Sequence, residues 1–190
     1  MGRWGDEAAR GFPVSPPLRV SPSGLSVIIV SWNVRDLLRR CLQSVVASSQ
    51  LQRETGNVKP RTWNMELVVI DNASTDGSAS MVQQEFPQAR LIANDRNLGF
   101  TGGNNQGIAA STGRYLLLLN PDTEIVGDAL TTMLAYMEAH PKVGLLGPQL
   151  RYADGSVQSS RRRFPTLATA FIESTVLQGF FAKSQVLRRY

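Results

Sequence analysis

The chain carries one cysteine, Cys41, and one histidine, His140. A lone cysteine excludes an intrachain disulfide, which fits a reducing compartment without requiring one. A lone histidine excludes a histidine-based triad or zinc site, and His140, set just before Pro141 at an expected helix end, reads as structural. No apolar stretch reaches the roughly 18 residues of a membrane span, and residues 1–24 lack the apolar region of a signal peptide. A soluble or peripheral chain is expected. Internal repeats are absent, and low complexity is confined to the first 24 residues.

What is present is enough for one domain. Of 190 residues, 42% are hydrophobic, which supports a single core. The net charge of +5 and a pI near 9.9 give a cationic surface suited to nucleic acid, an anionic membrane or a phosphorylated small molecule. No nucleic-acid fold motif is found, so no nucleic-acid partner is expected.

Residues 1–24 hold Pro13, Pro16, Pro17 and Pro22 among glycine and serine and read as a flexible leader. The β-branched run over 25–32 predicts a central strand. Leu37, Leu38, Cys41, Leu42, Val45 and Val46 then predict an amphipathic helix over 34–49. A polar loop over 50–64 precedes a buried strand over 66–70, a short helix over 78–86 closed by Pro87, and a short strand over 90–93. The Gly/Asn-rich stretch 94–107 reads as a loop leading into a short helix over 106–111. The unbroken apolar run Tyr115, Leu116, Leu117, Leu118, Leu119 predicts a strand buried on both faces of a helix-covered sheet. A helix over 127–139, a strand over 143–146 and a hairpin about Asp154-Gly155 complete the pass. Alternation of strands and helices predicts a mainly parallel α/β sheet flanked by helices, since parallel strands need crossover connections.

Three polar stretches follow successive strands: 71–76, 94–107 and 120–124. A parallel sheet brings all three to one edge, where open α/β sheets bind ligands. Asp76 is most simply a helix N-cap, and Asp122 or Thr123 taken alone could cap the next helix. Asp71, directly after Val68, Val69 and Ile70, stays ionised in such apolar surroundings only with hydrogen-bond or charge partners. The N–H of a nucleobase would serve. Asp122 at a strand end offers an oxygen ligand to a hard divalent cation. The glycines over 97–107 fit neither a Walker loop nor a dinucleotide fingerprint, but glycine and asparagine admit close backbone approach, and a following helix start offers N–H groups to an anion. The plain alternative is a tight connection.

Four motifs occur in order: Ser26-Val27-Ile28-Ile29-Val30-Ser31-Trp32-Asn33; Val69-Ile70-Asp71-Asn72-Ala73-Ser74-Thr75-Asp76-Gly77; Asn97-Leu98-Gly99-Phe100 with Gly103-Asn104-Asn105-Gln106-Gly107; and Leu118-Leu119-Asn120-Pro121-Asp122-Thr123-Glu124. Together they resemble family 2 glycosyltransferases of the Rossmann-like GT-A fold, in the rhamnosyltransferase-like branch, over residues 25–165. The resemblance implies a nucleotide-sugar site of Ser31, Trp32, Asn33, Asp71, Asn97, Gly99, Phe100, Gly103, Asn104, Asn120 and Asp122. Trp32 and Asn33 would lie beside the nucleotide, and Asp71 would bond a uracil or thymine. Asp122 would hold Mg2+ or Mn2+ on the diphosphate, with Asn120 where the usual Asp-x-Asp signature begins.

The implied reaction is an inverting transfer of a sugar from a UDP- or dTDP-activated donor to a saccharide or lipid-linked acceptor, in polysaccharide or cell-wall synthesis on the cytoplasmic side. The family's carboxylate base comes from a later acidic motif. After Asp154 the one acid here is Glu173, in a context that does not match it. The expected organisation is therefore a leader over 1–24, a donor-binding domain over 25–160, and a helical tail over 161–190 that begins an acceptor half. A non-catalytic nucleotide-sugar binding module is the alternative. In the tail, Arg161, Arg162 and Arg163 precede Leu167, Phe171, Leu177 and Phe180. That pattern fits either a basic helix lying on a membrane or, preferred, apolar residues packed on an acceptor half, and if exposed it promotes self-association.

Overall fold

In this computed structural model the described residues are 24–54 and 64–159, with side chains described over 24–49 and 64–159. The expected tail and all of the leader but Gly24 lie outside them. The order is β1 (Gly24–Ser31), α1 (Arg35–Glu54), β2 (Asn64–Asp71), α2 (Ser78–Glu85), β3 (Arg90–Ala93), α3 (Gly99–Ala110), β4 (Tyr115–Leu119) and α4 (Ala129–Ala139). The strands form one sheet in the order β3-β2-β1-β4, with every neighbouring pair parallel. The predicted class holds.

The period-two pattern of β1 divides the core. Val27 and Ile29 on one face, with Val69 beside them, meet Leu38, Cys41, Leu42 and Val45 of α1, Met81 and Val82 of α2, and Leu130 and Leu134 of α4. Leu38, Leu42 and Val45 recur at i, i+4 and i+7, so one stripe of α1 faces the sheet. Each such side chain, fully buried, contributes about 1.5–3 kcal/mol by removal from water. On the other face Ile28, Val68 and Ile70 are covered by Ile108 and Ala110 of α3.

Several expectations need correction. Helix α1 runs to Glu54, five residues past the predicted stop; Leu51, Gln52, Arg53 and Glu54 are good helix formers, the last three despite their polarity. Helix α3 begins at Gly99, so most of the supposed Gly/Asn loop is helical. Tertiary packing explains this. A Cβ on Gly107 would lie 2.3 Å from Ile28 Cγ2, and one on Gly103 would lie 2.7 Å from Val30 Cγ1, so glycine lets the helix axis approach the sheet. Strand β4 is not buried on both faces. Tyr115, Leu117 and Leu119 pack on the α1 side, whereas Leu116 and Leu118 are exposed. Among the described residues β4 is an edge strand, and the α3 residues that cover this face meet β1 and β2.

The described residues from Gly144 onward belong to a second compact unit. No strand forms over 143–146; Leu145 is 94% exposed, and without a partner strand an apolar run has no ladder to join. The predicted hairpin is present: Arg151 and Val157 bridge in antiparallel sense, and Gly155 takes the left-handed conformation the turn demands, with φ 82°.

Candidate nucleotide-sugar site

Because all four strands are parallel, Ser31, Asp71, Ala93 and Leu119 end them on one edge, and Ser31 pairs with Asp71 in register. The loops leaving β1 and β2 are stitched together. Asn33, at φ 54°, donates its amide to Ser74 Oγ at 2.9 Å, and its Oδ1 accepts the Thr75 amide at 2.7 Å. Asp76 accepts the Ser78 amide and hydroxyl on Oδ1 and the Arg35 amide on Oδ2 at 2.8 Å. The N-cap position of α2 is Gly77, not Asp76 as expected; from one residue earlier Asp76 bonds the first amide of α2 and also that of α1, placing a negative charge at two helix starts. Burial pushes the Asp76 carboxyl up, but the Ser78 hydroxyl and the Arg35 and Ser78 amides outweigh it and hold it below its ordinary value.

Asp71 is 2% exposed and Ser31 fully buried. Asp71 Oδ2 accepts the Ser74 amide at 2.9 Å. Its Oδ1 has no partner, and neither does Ser31 Oγ. Buried polar atoms are normally paired; of the three unpaired side-chain atoms among the described residues, these two lie side by side at the carboxyl edge, and the third is Ser48 Oγ. Trp32, next to Ser31, is 56% exposed.

The Asn97 side chain is spent on the chain itself, its Oδ1 accepting the Gly99 amide at 2.7 Å to open α3. Gly99 has φ 71°, and Phe100 stands exposed in the first turn. Gly103 lies against Val30 and Asn72 and lets α3 sit close to the sheet, whereas Asn104 donates to the Phe100 carbonyl within α3 itself. The sequence reading missed what joins this helix to β2. Asn72 donates to the Gly99 carbonyl at 3.2 Å, Asn94 donates to Asn72 Oδ1 at 3.0 Å, and Asn94 and Gln106 exchange hydrogen bonds at 2.8 and 2.9 Å. The signal available was an amide at each strand end, Asn72 and Asn94, facing an amide-rich helix.

After β4, Asn120 and Asp122 are exposed on a turn closed by Thr123, whose amide and hydroxyl both donate to the Asn120 carbonyl. Cys41 Sγ lies 3.6 Å from that oxygen, and Ser44 Oγ accepts the Ile125 amide at 2.9 Å. Glu124 pairs with Arg40 at 3.3 Å. Burial pushes the Cys41 thiol up to about 12, with the Asp122 and Glu124 charges acting the same way, so it stays a neutral donor. Among the described residues no cluster of three or more Cys, His, Asp or Glu could by itself hold a metal. An ion of the Mg2+ type takes one or two protein carboxylates and completes its shell with water and substrate phosphate, a demand that a single exposed carboxylate such as Asp122 meets chemically.

Comparisons with known proteins agree with this geometry. Glycosyl transferase family 2 matches residues 26–189. A succinoglycan biosynthesis protein, ExoO, from Rhizobium meliloti is 29% identical over 86% of the chain. The N-acetylglucosaminyl-diphospho-decaprenol L-rhamnosyltransferase of Mycobacterium tuberculosis is 31% identical over 75% of it. In each case the match spans 46% of the relative, so the chain spans about half the length of these curated relatives. Among solved structures, a mannosyltransferase from Pyrobaculum calidifontis, in complex with GDP-Man and Mn2+, superposes with a TM-score of 0.51 at 23% identity, covering 68% of this chain and 37% of that one. Staphylococcus aureus TarS in complex with UDP gives 0.50 at 21%, covering 62% and 33%. The fold is that of GT-A glycosyltransferases, and the chain belongs to glycosyltransferase family 2.

Proposed function

We propose that residues 25–160 bind the donor in an inverting glycosyl transfer from a UDP- or dTDP-activated sugar to a saccharide or lipid-linked acceptor. The observation that carries this reading is the unpaired Oδ1 of buried Asp71 beside the unpaired hydroxyl of Ser31. A buried carboxylate oxygen calls for an N–H donor, and the imide of uracil or thymine supplies one. Exposed Trp32 offers a flat apolar face to the same base. Asp122 and Asn120 would hold Mg2+ or Mn2+, which when bound places positive charge against the diphosphate leaving group. The GDP-Man and Mn2+ in one fold relative and the UDP in another support a nucleotide-diphosphate donor. Residues 161–190, basic and then apolar, would reach toward an acceptor half or the cytoplasmic membrane face.

Calorimetry on the 190-residue chain tests the donor site. Asp71→Asn turns an acceptor into a donor at constant shape and is expected to weaken uridine and UDP alike by about tenfold or more, one charged hydrogen bond being worth roughly 1.5–3 kcal/mol. Asp122→Ala is expected to remove the Mn2+ dependence of UDP binding and leave uridine untouched. Equal uridine affinity in Asp71→Asn and the parent defeats the base contact, and persisting Mn2+ dependence in Asp122→Ala defeats the metal role. The alternative reading is donor binding without transfer. Tight UDP binding with neither sugar transfer nor donor hydrolysis establishes it.

A further inference from the structure

The turn that carries Asp122 is closed by the Thr123 amide on the Asn120 carbonyl and has no regular secondary structure of its own, so its backbone polar groups also look outside the turn for partners. Two of them find α1. Cys41 and Ser44 sit three apart on one helix face, and they meet the two ends of the segment: Cys41 Sγ at the Asn120 carbonyl, Ser44 Oγ at the Ile125 amide. Ser44 also donates to the Cys41 carbonyl at 2.7 Å. That donation fixes the hydroxyl rotor and turns its lone pairs toward the Ile125 N–H. Arg40, one turn before Ser44, adds the pair with Glu124.

We propose that Ser44, assisted by Cys41, is a positioning residue for Asp122: the two pin both ends of the 120–125 turn to α1 and so fix the height of its carboxylate over the sheet edge. Helix α1 is itself tied to the β2 loop through the Asp76 bond to the Arg35 amide. Base site and metal turn are thus referred to one rigid element. The inference rests on the reading of Asp122 as the ligand of a divalent cation. Its physical content is that metal sites tolerate little displacement of a ligand, and loss of a group that orients one typically lowers metal affinity 10- to 100-fold.

The test compares Ser44→Ala, which removes the hydroxyl, with Ser44→Thr, which keeps it, in the full 190-residue chain. Ser44→Ala is expected to lower the Mn2+-dependent affinity for UDP about tenfold, to leave uridine affinity unchanged, and to speed hydrogen exchange at the Ile125 amide but not in β1 or β2. Ser44→Thr is expected to restore all three towards the parent. If the parent shows Mn2+ dependence and Ser44→Ala matches it, or if Ile125 exchange does not rise, the positioning role is overturned while the metal reading stands. If UDP binding by the parent ignores Mn2+, the metal reading falls and the positioning role falls with it.

Discussion

Replacing Gly107 by alanine sets two known effects against each other. In a helix interior the change gains about 1 kcal/mol of propensity, and on an exposed helix it would stabilise. Here the new Cβ would lie 2.3 Å from Ile28 Cγ2, with Ile28 Cβ and Cγ1 at 3.5 and 3.6 Å. Carbon atoms rest comfortably at about 3.5–4.0 Å, so the first contact is short by more than roughly 1 Å. Ile28 cannot retreat, being fully buried on a central strand with a β-branched, stiff χ1. The strain must lift α3 from the sheet. Overpacking costs about 1–3 kcal/mol, and this site falls at the upper end, leaving a net loss of about 1–2 kcal/mol. At roughly 2–4 °C per kcal/mol for a domain of this size, the melting midpoint is expected to fall by several degrees. Nucleoside affinity should fall as well, because α3 carries Gly99 and Gln106, which bond Asn72 and Asn94. Adding Ile28→Ala removes the colliding methyl, so the double variant should be less destabilised than the sum of the singles. A Gly107→Ala protein as stable as its parent in thermal and urea denaturation would refute the close packing of α3 on β1.

The Asp76 carboxylate bonds the first amides of two helices at once, so Asp76→Ala is expected to cost about 1–2 kcal/mol in urea denaturation at neutral pH. Burial raises the Glu66 carboxyl, but the Ser26 hydroxyl, the Thr112 amide and hydroxyl and the Arg90 charge outweigh it and hold it below 4.5. Its stabilisation is therefore present above about pH 4.5 and lost as pH falls through its lower folded value, as for Asp76 below its ordinary 3.8. Glu66→Gln should flatten the acid limb of stability against pH; an unchanged limb removes Glu66 from that role. Asn94→Ala breaks the amide chain at its middle and leaves polar groups of Asn72 and Gln106 without these partners. It is expected to lower stability by about 1–3 kcal/mol and uridine affinity with it, and equal uridine binding would show the chain to be structural only.

What the sequence made legible were features written locally. Strand β3 was read with its bounds, because the six residues between Pro87 and the polar stretch from Asn94 leave little choice. That Asp76 serves the start of the helix beginning two residues later was legible, though the N-cap itself is Gly77, and its bond to an amide 41 positions back has no local signature. The same reason hid Ser44, whose partner Ile125 is 81 residues away. Glycine misled in α3, where its low helix propensity was overridden by the need for a bare helix face against Ile28 and Val30. In β4 five apolar residues spoke for burial on two faces, yet composition does not say how far a covering helix extends, and Leu116 and Leu118 stand outside the cover of α3.

The polar residues at the carboxyl edge divide by whether the fold has already used them. Side-chain atoms of Asn33, Asn72, Ser74, Asp76, Asn94, Asn97, Asn104 and Gln106 hydrogen-bond within the protein. These residues build the loops, and substituting them should act through structure before it acts through binding. Ser31 Oγ and Asp71 Oδ1 are buried without a partner, and an unmade hydrogen bond of this kind costs roughly 1–3 kcal/mol. The dense bonding around them allows the fold to carry that cost. On the proposed reading, a ligand that donates to these atoms would recover that cost on binding and one without a donor would not, so the cost would become discrimination between ligands. Among the residues that resemble a nucleotide-sugar site, Ser31 and Asp71 thus differ from Asn33 and Asn97, whose side chains bond within the loops themselves.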